Sequence, residues 1–147
     1  MTMHRRPLGR GRSMAALGGV LMVIGSVLQW WQVGGTPGIT AESGNGLAGS
    51  GILVFLVGIA TLALVALPYA AGDRPVGLDR WLTFAILAVA GWVGFAWRVV
   101  QLLLDGAFQF STPAQVLTNG PGLWIAAVGL ALLARAAYVM TRESAYR

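Results

Sequence analysis

The sequence predicts an all-α integral membrane protein, built as a bundle of four transmembrane helices. Of its 147 residues, 56% are hydrophobic and 10% are charged, whereas a soluble domain carries about 25% charged residues. Four apolar segments have the length of a membrane span, since about 20 residues of helix cross the roughly 30 Å hydrocarbon core. We expect these spans at about 14–33, 51–70, 81–104 and 121–140, so that residues 14–140 form one transmembrane domain between two tails, 1–13 and 141–147.

The first span follows a basic tail, residues 1–13, in which four arginines stand among glycines and a proline. This composition predicts a disordered segment. The apolar run that follows is long for a signal peptide and lacks an A-x-A cleavage site, so we expect it to remain as a helix. Trp30 and Trp31 close this helix at the depth where indole rings prefer to lie, between acyl chains and headgroups.

The loop over residues 34–50 is dense in glycine and other turn formers. Ile39 and Thr40 are its best candidates for a short piece of strand. We interpret this low complexity as a mobile connection rather than a ligand-binding loop. The second span follows, and Tyr69 anchors its far end.

The third span begins at Trp81, after a short charged loop over residues 71–80. Beyond this span, Thr112-Pro113-Ala114-Gln115 has the form of a capping box with proline at the first helical position. It predicts a short interfacial helix over about 113–118, in the second outer loop, before the fourth span starts at Pro121. The expected interface anchors are Trp30, Trp31, Tyr69, Trp81, Trp124 and Tyr138.

The arginines set the expected orientation. Nine of the ten lie in the two tails, in the loop 71–80 or at the adjoining end of the fourth span, and only Arg98 lies toward the other side. By the positive-inside rule both termini are cytoplasmic, which is an N-in/C-in topology in the cell membrane.

A candidate internal repeat relates the two halves of the chain. Gly51 and Gly58 of the second span match Gly122 and Gly129 of the fourth at a constant offset of 71. The first and third spans match less well. These matches would make the bundle a 2+2 parallel repeat, but they also arise by chance in a chain rich in small residues, and we leave both interpretations open.

Small residues at helical spacing let helix backbones approach closely, and all four spans carry them. We favour internal packing for these faces, and a protein partner or a second copy of the chain is the alternative. The lipid bilayer is the other expected partner. We expect no nucleic acid partner, because the basic residues flank apolar spans instead of forming a recognition surface.

Arg98 is the charge that breaks the apolar pattern of a span, whereas Arg135 lies near the cytoplasmic end of the fourth span. Arg98 lies about six residues from the outer end of the third span, where an arginine side chain can extend to the headgroups at reduced cost. We favour this snorkelling interpretation, with lipid phosphate or Asp105 as the partner. The alternative is a ligand or partner contact formed by Arg98, Gln101, Asp105 and Trp97.

No catalytic constellation is evident in the sequence. His4 is the only histidine and there is no cysteine, so we expect no haem, thiolate or metal site and no cofactor. The leading hypothesis is a non-enzymatic structural or accessory subunit of a bacterial membrane complex. The alternative is a small transporter or ligand-binding membrane protein with a site near Arg98, and an enzyme is the least favoured class.

Overall fold

The computed structural model describes residues 9–70, 81–108 and 114–145. These residues form four long helices, a single helical turn and a two-stranded antiparallel hairpin. In chain order the elements are α1 (Arg10–Val27), β1 (Gln29–Val33), β2 (Glu42–Asn45), a 3₁₀ turn (Gly49–Gly51), α2 (Ile52–Ala70), α3 (Trp81–Leu104), α4 (Gln115–Thr118) and α5 (Pro121–Ala145).

Three helical segments of the described chain are long and apolar enough to cross a membrane. They are Gly49–Ala70, Trp81–Leu104 and Pro121–Glu143. The remaining long helix, α1, has 18 residues and begins with Arg10 and Arg12. The chain is therefore mostly helical, with the composition of a membrane protein.

Sequential helices in the bundle run antiparallel, and each packs against two neighbours. α1 contacts α2 and α5, and α3 contacts the same two helices. One end of the bundle carries the hairpin, the 3₁₀ turn and α4, and we call it the hairpin end. The loop 71–80 and the tail 1–8 lie outside the described residues, as do Thr112 and Pro113 of the predicted capping box.

Glycines let α1 approach both of its neighbours at backbone distance. A Cβ on Gly18 would come within 2.8 Å of the Gly129 carbonyl oxygen, and one on Gly19 within 3.2 Å of the Gly58 carbonyl oxygen. Gly58 and Gly129, which the candidate repeat equates, thus both face α1. A repeat that relates α1 and α2 to α3 and α5 would place Gly129 against α3, so this packing gives the repeat no support.

The first span differs from its prediction. The sequence predicts a helix over 14–33, but α1 ends at Val27 because Leu28 is extended, with φ −71° and ψ 163°. The aromatic and branched residues of β1 suit a strand, and they pair with β2 so that Trp31 lies opposite Gly44. A Cβ on Gly44 would come within 2.5 Å of Trp31 Nε1. Glycine therefore suits position 44, because the Trp31 ring occupies the space that a side chain would take there.

Two loop predictions have mixed outcomes. Ile39 and Thr40 are not in a strand, since Ile39 N–H donates to the Thr36 carbonyl oxygen in a turn (2.9 Å). The short helix predicted over 113–118 is found as the single turn α4. α5 starts at the predicted Pro121 and continues past the predicted end at 140.

Candidate functional site

Arg98 and Gln101 lie one turn apart on α3 and face the 3₁₀ turn at the hairpin end. Ser50 Oγ donates a hydrogen bond to Gln101 Oε1 (3.1 Å), and Arg98 Nη1 lies 3.5 Å from the same oxygen. A Cβ on Gly49 would be 3.0 Å from Arg98 Nη1, and Gly49 has a φ of +59°. Glycine suits this position because it tolerates the positive φ and leaves room for the guanidinium. We call Ser50, Arg98 and Gln101 the polar cluster.

The guanidinium of Arg98 is only partly satisfied by the chain. Its side chain is half-buried, and Nε is shielded from solvent with no hydrogen-bond partner among the described residues. A guanidinium has five N–H donors, and the 3.5 Å contact to Gln101 is a long one. The cluster therefore offers unused donors to an acceptor.

Two of the predicted neighbours of Arg98 are not part of this cluster. Asp105 is exposed beyond the end of α3, and the structure records no ion pair between the two residues. Trp97 is 61% exposed and lies on the outer surface of α3. Of the four residues predicted for the site, the fold brings together Arg98 and Gln101. Ser50 and Gly49 were missed, because small residues in a glycine-rich loop carry no sequence signal for such a contact.

The expected interface anchors have different surroundings. Tyr69, Trp81, Trp124 and Tyr138 are exposed. Tyr138 also accepts a hydrogen bond from Arg142 Nη2 (2.6 Å), and the guanidinium carbon lies 5.0 Å from the centre of the tyrosine ring. This pair combines a polar contact with a cation–π contact.

Trp30 lies in the core instead of on the surface, with 1% of its area exposed. Its indole Nε1 donates to the Gly25 carbonyl oxygen at 2.8 Å, and its ring packs at 60° against Phe95, with 5.5 Å between ring centres. Phe95 in turn meets Trp92 edge to face at 5.7 Å. Trp31 is half-buried, and its Nε1 has no hydrogen-bond partner within the described chain.

A partly open cavity of about 210 Å³ lies between β1, the last turns of α3 and the start of α5. Aromatic and aliphatic side chains form most of its wall, and Gln32 and Asn119 are the polar residues among them. We call it the aromatic cavity. Its main lining residues are Trp30, Trp31, Val99, Leu103, Phe108, Leu123 and Trp124.

The aromatic cavity lies on a different face of α3 from the polar cluster. Val99 and Leu103 line the cavity, while Arg98 and Gln101 face the 3₁₀ turn. Sequence reasoning missed the cavity because it placed Trp30 and Trp31 in a helix. The ranges 9–70, 81–108 and 114–145 hold no group of three or more His, Cys, Asp or Glu side chains that could bind a metal ion.

Comparison with protein-family models, curated proteins and solved structures finds no match to this chain. The fold therefore indicates the general class of protein and no particular family. The described part of the chain is mostly helical, and three of its helices are long and apolar enough to cross a membrane.

Proposed function

We propose that this chain is a non-enzymatic, multi-pass membrane protein that acts as a structural or accessory subunit of a bacterial membrane complex. In this proposal all four long helices cross the cell membrane and both termini are cytoplasmic. The main support is that the buried hydroxyl groups of the described helices hydrogen-bond to their own helices.

The buried hydroxyl groups hold helix geometry. Ser26 Oγ donates to the Met22 carbonyl oxygen and Thr61 Oγ1 to the Val57 carbonyl oxygen, each at 2.7 Å. Such bonds to the preceding turn satisfy a polar group within its own helix. Trp30 likewise donates its indole N–H to the Gly25 carbonyl oxygen. This use of polar groups within the scaffold supports a structural role.

The surface of α1 supports the proposal that this helix crosses the membrane as the first of four spans. Leu17, Val20, Ile24 and Val27 are all exposed, and their spacing places them on one helix face. A continuous apolar stripe of this kind suits contact with lipid. The opposite face of α1 carries the glycines that meet α2 and α5.

The exposed small residues of α5 are candidates for contact with another subunit. Ala131 and Ala134 are exposed, whereas Gly18, Gly58 and Gly129 are used inside the bundle. Small residues at a helix surface allow a partner helix to approach closely. We therefore expect a partner helix to lie against Ala131.

Purification in a mild detergent, followed by mass measurement of the intact assembly, tests this function. We expect reproducible co-purifying subunits that are lost in Ala131→Phe. They should be retained in the matched control Ala63→Phe, which places the same ring on the exposed face of α2. A chain that purifies alone and retains a small molecule would contradict the accessory role.

Ligand binding or small-molecule transport near Arg98 is a second candidate function. The observation that favours it is the shielded Arg98 Nε without a hydrogen-bond partner in the described chain. A carboxylate or phosphate would pair with the terminal Nη donors of the same guanidinium through its planar fork.

A further inference from the structure

The aromatic cavity lies at the level where the apolar part of two spans ends. Leu103 is one residue before the end of α3, and Leu123 and Trp124 are in the first turn of α5. Helix ends of this kind lie where the hydrocarbon meets the headgroups. In a membrane the cavity would thus lie beside the part of the lipid acyl chains that is nearest the headgroups.

The wall of the cavity continues onto the outer surface of the bundle. Leu103 and Trp124 line the cavity and are also 59% and 42% exposed. These two side chains mark an opening between α3 and α5 on the outer surface of the bundle. The inner wall, in contrast, is formed by Trp30, which has almost no surface exposed.

The lining matches an amphiphile that enters from the membrane. The apolar wall suits a hydrocarbon chain, while Gln32 and Asn119 suit the polar end of the same molecule. Gln29 Nε2 holds these two residues near each other, since it donates to Gln32 Oε1 and to the Asn119 carbonyl oxygen, each at 3.0 Å. The volume of about 210 Å³ exceeds that of an engineered apolar cavity of about 150 Å³ that binds benzene.

We propose that the aromatic cavity binds the headgroup-proximal part of a lipid acyl chain, with its ester or carboxyl end beside Gln32 and Asn119. This inference does not rest on the accessory role. The protein would bind a lipid acyl chain in the same way if it had no partner subunit.

Quenching of Trp30 fluorescence by brominated lipids tests the proposal, because bromine quenches indole at contact range. The full-length chain is prepared with Trp30 as its sole tryptophan, the other five being replaced by phenylalanine, and is reconstituted into phosphatidylcholine vesicles. We expect chains brominated near the carboxyl end to remove most of the Trp30 emission. Chains brominated near the methyl end should remove little of it.

Filling the cavity with a larger side chain should protect Trp30 fluorescence from quenching by brominated lipid. Ala107 lines the cavity and is buried, so Ala107→Phe in the same background is expected to restore the emission. Ala107→Leu serves if circular dichroism shows that the larger residue prevents folding. The matched control Ala96→Phe adds a ring to the exposed face of α3 and should leave quenching unchanged.

A second arm separates the two sources of an acyl chain. Quenching by brominated phospholipid identifies the bilayer as the source, whereas quenching only by a brominated fatty acid added to plain vesicles identifies the free acid. A variant with the exposed Trp97 as sole tryptophan verifies that the vesicles quench lipid-facing indoles. If that variant is quenched and Trp30 emission is equal in brominated and plain vesicles, the proposal is overturned.

Discussion

Gly18 of α1 and Gly129 of α5 lie in reciprocal contact, because the carbonyl oxygen of each is close to the position that a Cβ of the other would occupy. The distance from the oxygen to that Cβ position is 2.8 Å in both directions. Backbone meets backbone here, so neither side has a flexible side chain that can move away. The contact fixes the separation between the first and last helices of the bundle.

Replacing Gly18 by alanine should destabilise the protein, although alanine favours a helix by about 1 kcal/mol over glycine. The added methyl group meets the Gly129 carbonyl oxygen and, at 3.2 Å, the Leu133 amide nitrogen. Overpacking of this kind costs about 1–3 kcal/mol, and here it acts on rigid backbone. We expect a lower Tm for Gly18→Ala in thermal unfolding in detergent. The control is Gly9→Ala, whose Cβ would meet, among the described residues, only Glu143 Oε2 at 3.8 Å. An equal loss of stability in both variants would contradict the packing argument.

The adjacent tryptophans Trp30 and Trp31 should respond differently to replacement by phenylalanine. Trp30→Phe removes the donor to the buried Gly25 carbonyl oxygen, and an unsatisfied buried group costs about 1–3 kcal/mol. Trp31→Phe removes an N–H that has no partner among the described residues, so it relieves an unmet polar group. We therefore expect the larger fall in the free energy of unfolding for Trp30→Phe, measured by denaturant titration. Equal falls would show that ring volume alone decides the effect.

Arg98→Lys should be close to neutral for stability and expression, because the described residues hold Arg98 by one long contact to Gln101. The charge and the long stem are retained. Arg98→Leu should insert into the membrane at least as well as the native chain. A large loss of ligand binding or assembly in Arg98→Lys, with expression intact, would instead favour the second candidate function. Arg135→Lys, at an exposed position of α5, is the matched control.

A double-mutant cycle should find no coupling between Arg98 and Asp105. Asp105 is exposed and forms no ion pair with Arg98 in the structure, so the effects of Arg98→Leu and Asp105→Asn on stability should add. The cycle of Arg98→Leu with Gln101→Leu should show a measurable interaction free energy. Coupling to Asp105 comparable to that with Gln101 would revive the intramolecular pair predicted from the sequence.

The proposed orientation is testable with single cysteines, because the native chain has none. Ser43, at the exposed edge of β2, and Glu143, near the end of α5, lie at opposite ends of the bundle and are both exposed. In intact cells a membrane-impermeant thiol reagent should label Ser43→Cys and leave Glu143→Cys unlabelled. The reverse pattern would invert the topology, and labelling of both would exclude a single N-in/C-in arrangement.

The sequence predicted best those elements whose residues alone determine them. α3 has the predicted bounds, Trp81 to Leu104, and α2 and α5 begin within a residue of their predicted starts. A continuous apolar run with turn residues at both ends leaves a helix as the only backbone that satisfies its own hydrogen bonds in lipid. The termini of such spans are therefore readable from composition.

The elements that were mispredicted depend on contacts distant in sequence. Trp30 and Trp31 continue the apolar pattern of α1, and only the pairing of β1 with β2 turns them into a strand. β2 itself has the sequence ESGN, whose residues are poor strand formers, so it gives no sign of the pairing. Likewise, Ser50 joins the polar cluster only because the loop returns to the end of α3.

The pairing of α1 with α5 also determines the order in which the protein can be assembled during synthesis. α1 leaves the ribosome before α5, yet α5 supplies the backbone against which Gly18 and Gly25 lie. Until α5 is made, Gly18 and Gly25 lack the backbone against which they pack, and the Trp30 main chain lacks its contact with Gly120. The packing of α1 against α5 is thus a late, long-range step. A chain that stops before α5 would leave the glycines of α1 that face α5 exposed to the quality-control proteases of the cell.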